Sequence, residues 1–267
     1  MIKQIEKVGV IGAGTMGAGI AGQVANAGTE VWLLDLPSDG ENVNSLSAKG
    51  LERLKDPDMP GLMSVEAEKL IRLGNTRDDF HQLEDCDWVA EAVVERLDIK
   101  QALYHQLNDV CKVTTIITSN TSTIPISLLT KGMPKKFCER FAITHFFNPV
   151  RFMRLLELVR GEFTRDDVIN TLDMFSETML GKGVVPCSDT PGFLANRVGV
   201  FAIQCALYKA FKYKLSPTEA DAFFGRPLGL PKTGVFGLYD LIGIDLMADV
   251  VKSLVSILPE NDAFHKY

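Results

Sequence analysis

The chain has 267 residues, of which 46% are hydrophobic and 23% charged, so it is long enough for one large or two modest globular domains. Its net charge of −6 argues against a general nucleic-acid-binding protein, which would carry a basic surface for phosphates. No apolar run approaches the ~20 residues of a membrane-spanning helix, so no membrane insertion is expected.

Cysteine usage bounds the redox setting. The five cysteines are odd in number and widely spaced, and no C-x-x-C occurs, so neither a zinc site nor a disulfide framework is indicated. Reduced thiols in a cytoplasmic protein fit this pattern best. The first apolar run, Val8 to Ile11, breaks at once into glycine, so no signal peptide is predicted.

A unit of strand, glycine-rich loop, helix and second strand is predicted near the start of the chain. Its parts are the strand Val8–Ile11, the loop Gly12-Ala13-Gly14-Thr15-Met16-Gly17, the helix Ala18–Ala27 and the strand Glu30–Asp35. The second strand ends in an acid 18 residues after Gly17, which matches the order and spacing of a dinucleotide-binding fingerprint. A glycine-rich turn without a ligand is the alternative, but it does not explain that acid.

Each glycine of this loop has a physical role in the interpretation. Gly12 allows the tight turn, Gly14 lets the backbone approach a pyrophosphate, and Gly17 lets the helix lie close on the sheet. The start of the helix offers N–H donors to the phosphates. Asp35 would bind the ribose hydroxyls, and no Arg or Lys follows at once to hold a 2′-phosphate, so NAD is favoured over NADP.

The rest of the chain alternates between strands and helices and then becomes helical. Strands are expected at 87–94, 114–118, 141–144 and 155–159, and helices at 97–110, 193–213 and 245–258, with a capping box at Ser216. This order predicts a mostly parallel, doubly wound α/β sheet of the Rossmann type followed by helices. We therefore predict a dinucleotide-binding domain over 1–187 and an all-helical domain over 188–267.

His145 and Glu157 are the strongest candidates for chemistry. His145, one of four histidines, follows an apolar strand at the end where ligands bind in open α/β sheets. Glu157 lies in the apolar run 155–159, where a buried carboxylate should be paired. Oxidation of an alcohol by NAD needs a base for the hydroxyl proton and an acid that steadies the base. A hydrogen-bonded structural histidine is the alternative for His145.

Two polar segments have more than one interpretation. The run Ser119-Asn120-Thr121-Ser122 follows a strand, so its hydroxyls either cap the next helix or donate to a substrate oxygen, and the sequence favours neither. Asn196 is a polar residue in an apolar helix, which is more typical of a core or domain contact than of a ligand.

Together these residues resemble the L-3-hydroxyacyl-CoA dehydrogenase family of fatty-acid β-oxidation. The shared stretches are 10–20 (VIGAGTMGAGI), 91–96 (EAVVER), 119–122 (SNTS), 145–149 (HFFNP) and 189–197 (DTPGFLANR). They occur in the family's order and extend over nearly the whole chain.

The resemblance implies oxidation of (S)-3-hydroxyacyl-CoA by NAD to 3-oxoacyl-CoA and NADH. His145 would be the general base and Glu157 its partner, while Ser122 and Asn196 would contact the substrate oxygen or hold the active-site network. Besides the loop residues Gly12, Gly14, Thr15, Met16 and Gly17, the residues expected around NAD are Asp35, Glu95, Lys100 and Asn148.

The chain departs from the family pattern in two places. The family's serine and lysine contacts to CoA have no clear counterparts, and Lys49, Arg53 and Lys55 are candidates on charge alone, with a solvated face as the favoured interpretation. The chain also stops at Tyr267, where the family's helical domain continues, so a truncated C-terminal domain is expected.

The resemblance also bears on partners. It is strongest to long bacterial members that carry an enoyl-CoA hydratase-like part after the dehydrogenase, and it implies a homodimer for the full-length protein. Two other functions stay open: an NAD-dependent dehydrogenase of a free 3-hydroxy acid or sugar acid, and an NAD-binding module without catalysis.

Overall fold

The computed structural model describes residues 4–229 and 232–266, and the chain divides into two compact units, 1–189 and 190–267. The first unit contains a sheet with the order β3-β2-β1-β4-β5-β6-β7-β8. Its strands are β1 (Lys7–Ile11), β2 (Glu30–Asp35), β3 (Ile71–Asn75), β4 (Trp88–Glu91), β5 (Ile116–Ser119), β6 (Phe141–Phe146), β7 (Leu155–Arg160) and β8 (Gly183–Ser188). The predicted fold class, a mostly parallel Rossmann-type sheet with a helical unit after it, is confirmed.

Helices connect these strands. They are α1 (Thr15–Asn26), α2 (Ser45–Arg53), α3 (Val65–Glu68), α4 (Leu97–Val110), α5 (Ile126–Leu129), α6 (Lys135–Cys138) and α7 (Asp166–Thr178). The central strands β4, β5 and β6 are buried along their whole length, as expected for parallel strands that are covered on both faces. One polar contact crosses this core, where the Trp88 indole donates to the Thr118 hydroxyl at 2.9 Å.

The last part of the sheet differs from the predicted pattern. Strands β1 to β6 are parallel, but β7 pairs with β6 in the antiparallel direction, and β8 then runs parallel to β7. Strands β3 and β8, the two edges of the sheet, are absent from the predicted elements. Proline is tolerated at an edge, because its missing N–H is not needed there, and this explains how Pro186 lies within β8.

The second unit is built from α8 (Ala195–Lys212), α9 (Pro217–Phe223), α10 (Phe236–Ile242) and α11 (Ile244–Ile257). The predicted capping box at Ser216 is confirmed, because its hydroxyl accepts from the Glu219 N–H while the Glu219 carboxylate accepts from the Ser216 N–H. A cluster of Val200, Met247, Leu254 and Phe264 forms its core. Within the described residues, no helix combines the length and apolarity needed to cross a bilayer.

Substitution of Gly17 tests whether α1 must pack closely on the sheet. A Cβ at Gly17 would lie 1.7 Å from the Gly12 carbonyl oxygen, whereas a Cβ at Gly183 would meet nothing nearer than 3.9 Å. We expect Gly17→Ala to lower the free energy of unfolding by ~1–3 kcal/mol, the usual cost of overpacking, and Gly183→Ala to leave it nearly unchanged. Urea unfolding followed by tryptophan fluorescence measures this, since both tryptophans, Trp32 and Trp88, lie in the first unit. Equal stabilities for the two variants would contradict the packing argument.

Candidate active site

The glycine-rich loop joins β1 to α1 at the carboxyl edge of the sheet. Gly12 has φ +97°, a conformation that favours glycine, and a Cβ there would lie 2.5 Å from the Ala92 carbonyl oxygen. A Cβ at Gly14, in contrast, would meet nothing within 4 Å. The loop therefore leaves open space above Gly14, beside Thr15 and Met16 of the first turn of α1, where helix N–H groups lack intrahelical partners. These features fit a pyrophosphate.

Asp35 ends β2 next to this loop. One carboxylate oxygen accepts from the Ala13 N–H at 2.6 Å, and the other accepts from the Leu36 N–H at 2.7 Å. The Arg53 guanidinium donates to the Ala13 carbonyl at 3.0 Å, so it also supports the loop. The acid at the end of the second strand is thus held against the glycine-rich loop, as the fingerprint requires.

His145 and Glu157 form a buried pair. They face each other directly in the antiparallel register of β6 and β7, and His145 Nδ1 lies 2.7 Å from Glu157 Oε2. Glu157 is fully buried, and the His145 side chain is 8% exposed. With Nδ1 donating to the carboxylate, Nε2 is the nitrogen able to accept a proton. Cys187 Sγ lies 3.7 Å from the other oxygen, Glu157 Oε1.

The segment after β5 is tied to the end of β6. Asn120 accepts a hydrogen bond from the Phe146 N–H at 2.9 Å, which brings residues 119–122 beside the strand that carries His145. The next helix, α5, has Pro125 as its N-cap and no side-chain cap, so the run does not cap it as one interpretation expected. Ser122 is half-buried. Its hydroxyl is not engaged by any side chain or backbone group that the structure describes.

A second buried carboxylate lies at the end of β4. Glu91 is fully buried and accepts from the Lys100 amine at 2.5 Å, from the Tyr104 hydroxyl at 2.6 Å and from the Ser119 hydroxyl at 2.7 Å. The Lys100 amine also lies 3.3 Å from Glu95, whose side chain is 40% exposed. Lys100 itself is only 1% exposed, so of these two predicted cofactor residues, Glu95 is the one that solvent reaches.

Asn148 precedes a turn that borders a cavity of ≈ 230 Å³, lined by residues drawn from 15–19, 53–61 and 148–152. Lys182 stabilises this turn, because its amine donates to the carbonyls of Val150 and, at 2.9 Å, Met153. Arg151 ties the turn to the segment before α3, because its guanidinium donates to the Pro60 carbonyl at 2.7 Å.

The remaining predicted residue lies in the second unit. Asn196 is half-buried near the start of α8. The structure thus brings His145 and Glu157 into contact and ties residues 119–122 to the end of β6. Among the described residues, no group of three or more His, Cys, Asp or Glu side chains could hold a metal ion.

Sequence reasoning missed Glu91 and Lys182. Glu91 stands in the apolar strand run that begins at Trp88, which is the same signal that identified Glu157, a carboxylate where burial demands a partner. Lys182 follows a glycine in a loop, and nothing local indicates that its amine is buried.

Comparison with known proteins identifies the family. Residues 7–190 match the family model for the NAD binding domain of 3-hydroxyacyl-CoA dehydrogenase, and residues 192–266 match the model for its C-terminal domain. The chain therefore belongs to the 3-hydroxyacyl-CoA dehydrogenase family. The resemblance seen in the sequence is confirmed, and so is NAD as the cofactor.

Individual relatives agree with this assignment. The chain is 42% identical to a putative fatty acid oxidation complex trifunctional enzyme of Rickettsia prowazekii, over 100% of this chain and 37% of that protein. It is 41% identical to a probable 3-hydroxyacyl-CoA dehydrogenase of Deinococcus radiodurans, over 98% of this chain and 76% of that protein. The crystal structure of (S)-3-hydroxybutyryl-CoA dehydrogenase PaaH1 from Ralstonia eutropha has a TM-score of 0.79 at 32% identity, covering 95% of this chain and 88% of that one. The chain thus spans little more than a third of the first of these curated relatives.

Gly14→Ala is expected to change the affinity for the cofactor without changing the stability of the fold. Because a Cβ at Gly14 meets no atom within 4 Å, Gly14→Ala should leave the free energy of unfolding within ~0.5 kcal/mol of the parent value. The methyl group would instead occupy space that the pyrophosphate needs, and we expect the Kd for NAD to rise at least ~10-fold. Isothermal titration calorimetry with NAD measures the affinity. An unchanged Kd would contradict the placement of the pyrophosphate.

Lys182 predicts a pH dependence of stability. Burial lowers the pKa of Lys182 to about 8 from its ordinary 10.5. Between these two values the unfolded chain binds a proton that the folded chain does not, so this group makes the free energy of unfolding rise with pH, by about 3 kcal/mol at most. We expect Lys182→Met to lack this rise, while exposed Lys136→Met keeps it. Urea unfolding at pH 7.5, 9 and 10 measures the effect, and parallel profiles for parent and Lys182→Met would refute it.

Proposed function

We propose that this chain oxidises (S)-3-hydroxyacyl-CoA to 3-oxoacyl-CoA with NAD, the dehydrogenation step of fatty-acid β-oxidation. The observation that carries the proposal is the His145–Glu157 pair, with a 2.7 Å contact, on the strands at the end of an NAD-binding sheet. An alcohol can lose its hydride only as its hydroxyl proton leaves, so a base at this position is what the reaction requires.

His145 is the proposed general base. Glu157 accepts from Nδ1, which selects the tautomer with an unprotonated Nε2, and Nε2 then takes the proton from the 3-hydroxyl group. The buried carboxylate stabilises the imidazolium that forms, because an opposite charge in contact with it is not screened by water. NAD, held by the glycine-rich loop, would supply the acceptor for the hydride that leaves the carbon bearing this hydroxyl. In the reverse direction, the imidazolium returns its proton to the 3-oxo group.

The other predicted residues have proposed positioning and binding roles. Ser122 donates its hydroxyl to the substrate oxygen, and Asn196 supports the active-site network from the second unit, a role that rests on the family resemblance. The loop residues Gly12, Gly14, Thr15, Met16 and Gly17 bind the pyrophosphate, and Asp35 binds the adenosine ribose. Glu95 and Asn148 border the nicotinamide half, with Lys100 acting on it through Glu95.

The proposal extends to organisation and setting. Residues 1–187 would form the NAD-binding domain and residues 188–267 the helical C-terminal domain of the family. The Rickettsia relative is a putative trifunctional enzyme of which this chain covers 37%, which supports a longer native chain, and the family resemblance proposes a hydratase-like part for it. A homodimer of the full-length protein is proposed from the resemblance alone. A cytoplasmic location is proposed from the odd, scattered cysteines.

Substrate class can be tested directly. We expect NADH oxidation, followed by its absorbance, with acetoacetyl-CoA and none with free acetoacetate at the same concentration. Equal rates with both would favour the dehydrogenase of a free hydroxy acid. If neither compound is reduced although NADH binds in a direct titration, the NAD-binding module without catalysis becomes the better description.

The catalytic pair predicts a specific loss of rate. His145→Gln removes the base, and we expect kcat with acetoacetyl-CoA to fall by ~10²–10⁴ while the Kd for NADH stays within about twofold of the parent value. Glu157→Gln should lower kcat by a similar factor, since the tautomer and the imidazolium both lose their support. The matched control is His105→Gln, an exposed histidine on α4, which should leave kcat unchanged. Retained activity in His145→Gln would show that another group is the base.

A further inference from the structure

A lysine between two carboxylates lies beneath the cofactor edge of the sheet. Lys100 Nζ is 2.5 Å from Glu91 Oε1 and 3.3 Å from Glu95 Oε2, and we call these three residues the acidic triad. Lys100 is 1% exposed and Glu91 is fully buried, whereas the Glu95 side chain is 40% exposed. The single lysine thus forms ion pairs with both carboxylates, and the fully ionised triad has a formal net charge of −1.

Neutral donors hold Glu91 in this arrangement. The Val93 N–H donates to Oε1 at 2.8 Å, and the hydroxyls of Tyr104 and Ser119 donate to Oε2. Burial raises the pKa of Tyr104 well above its ordinary value, so this hydroxyl keeps its proton and remains a donor. Each Glu91 oxygen accepts from two donors, and these hydrogen bonds offset the cost of burying a carboxylate away from water.

Glu95 is the outer member of the triad. Its Oε1 accepts from the hydroxyls of Thr121 and, at 3.1 Å, Thr123, while its Oε2 faces Lys100. Burial raises the pKa of Glu95, but the Lys100 charge and the two threonine hydroxyls outweigh it and hold this pKa below its ordinary value. Glu95 is therefore a fixed anion at neutral pH.

The position of the triad relates it to one half of NAD. In this strand order, β1 to β3 form one mononucleotide-binding half and β4 to β6 the other, and the dinucleotide crosses the carboxyl edge between them. The glycine-rich loop after β1 takes the pyrophosphate. Glu95 follows β4, and its threonine partners follow β5, so the triad lies on the nicotinamide side.

We infer that the acidic triad lowers the ratio Kd(NAD)/Kd(NADH), because its net negative charge stabilises the cationic nicotinamide ring of NAD more than the neutral ring of NADH. Glu91 acts as a positioning residue, because it takes up most of the Lys100 charge and so leaves the charge of Glu95 uncancelled. The inference deepens the proposed function, in which NAD is the hydride acceptor, but it depends on cofactor binding and not on the thioester substrate.

The formal charge of the triad in each variant predicts how that variant binds the cofactor. Glu95→Gln and Glu91→Gln each bring the triad from −1 to 0, and the double variant Glu91→Gln with Lys100→Met returns it to −1. At an effective dielectric constant of ~20–40 and a separation near ~10 Å, loss of one charge should weaken binding of the cationic ring about 3- to 20-fold. Binding of the neutral ring should change much less.

The experiment measures the Kd of NAD and of NADH by titration calorimetry in the purified protein and its variants. We expect the ratio Kd(NAD)/Kd(NADH) to rise about 3- to 20-fold in Glu95→Gln and Glu91→Gln and to return to the parent value in the double variant. The matched control is Asp98→Asn, which removes a charge whose side chain is 66% exposed at the start of α4, and its ratio should not move.

A purely structural role gives a different pattern. If Glu91 only stabilised the fold, both Kd values would rise together and the ratio would stay at the parent value, which would overturn the inference. Should Glu91→Gln fail to fold, Glu95→Gln and the double variant still decide, because only a charge effect raises the ratio in the first and restores it in the second. An inactive protein with the expected ratios would count against the proposed reaction and leave this inference intact.

Discussion

The antiparallel pairing of β7 with β6 is the constraint on which the site depends. Glu157 is the third residue of β7, and His145 is the fifth of the six residues of β6. The connection over residues 147–154 is shorter than the dozen or so residues that a parallel crossover needs, so β7 turns back. The antiparallel register then places these two positions opposite each other, where they meet at 2.7 Å. The reversal of one strand therefore decides whether the histidine has a carboxylate partner.

Glu157 and Glu91 follow one physical rule in two places. Each is a fully buried carboxylate inside an apolar strand, and each is tolerated because donors surround it: an imidazole for Glu157, and an amine with two hydroxyls for Glu91. The partners differ in what they can do. Histidine is the side chain most often used for proton transfer, whereas lysine more often serves as a compact point charge. The same burial problem is thus met by a histidine at one strand and by a lysine with two hydroxyls at another.

Local signals predicted those features that depend on residues close together along the chain. The roles assigned to Gly12 and Gly17 need only neighbouring atoms, and the structure places carbonyl oxygens where a side chain would clash. The helix 97–110 and the capping box at Ser216 are also local, since their hydrogen bonds join residues a few positions apart. The two edge strands escaped prediction because an edge needs neither a long apolar run nor every N–H, and Pro186 could stand within one of them.

Contacts between residues far apart in the chain could not be predicted from the pattern of residues. The partners of Glu91 come from the loop after β4, from α4 and from β5, and Ser119 is separated from it by 28 positions. Apolar spacing predicted each element, but spacing within an element does not contain the distances between elements. Lys100 illustrates the consequence. Resemblance placed it beside the cofactor, whereas its position between two carboxylates is set by packing between β4 and α4 that the spacing of residues does not contain.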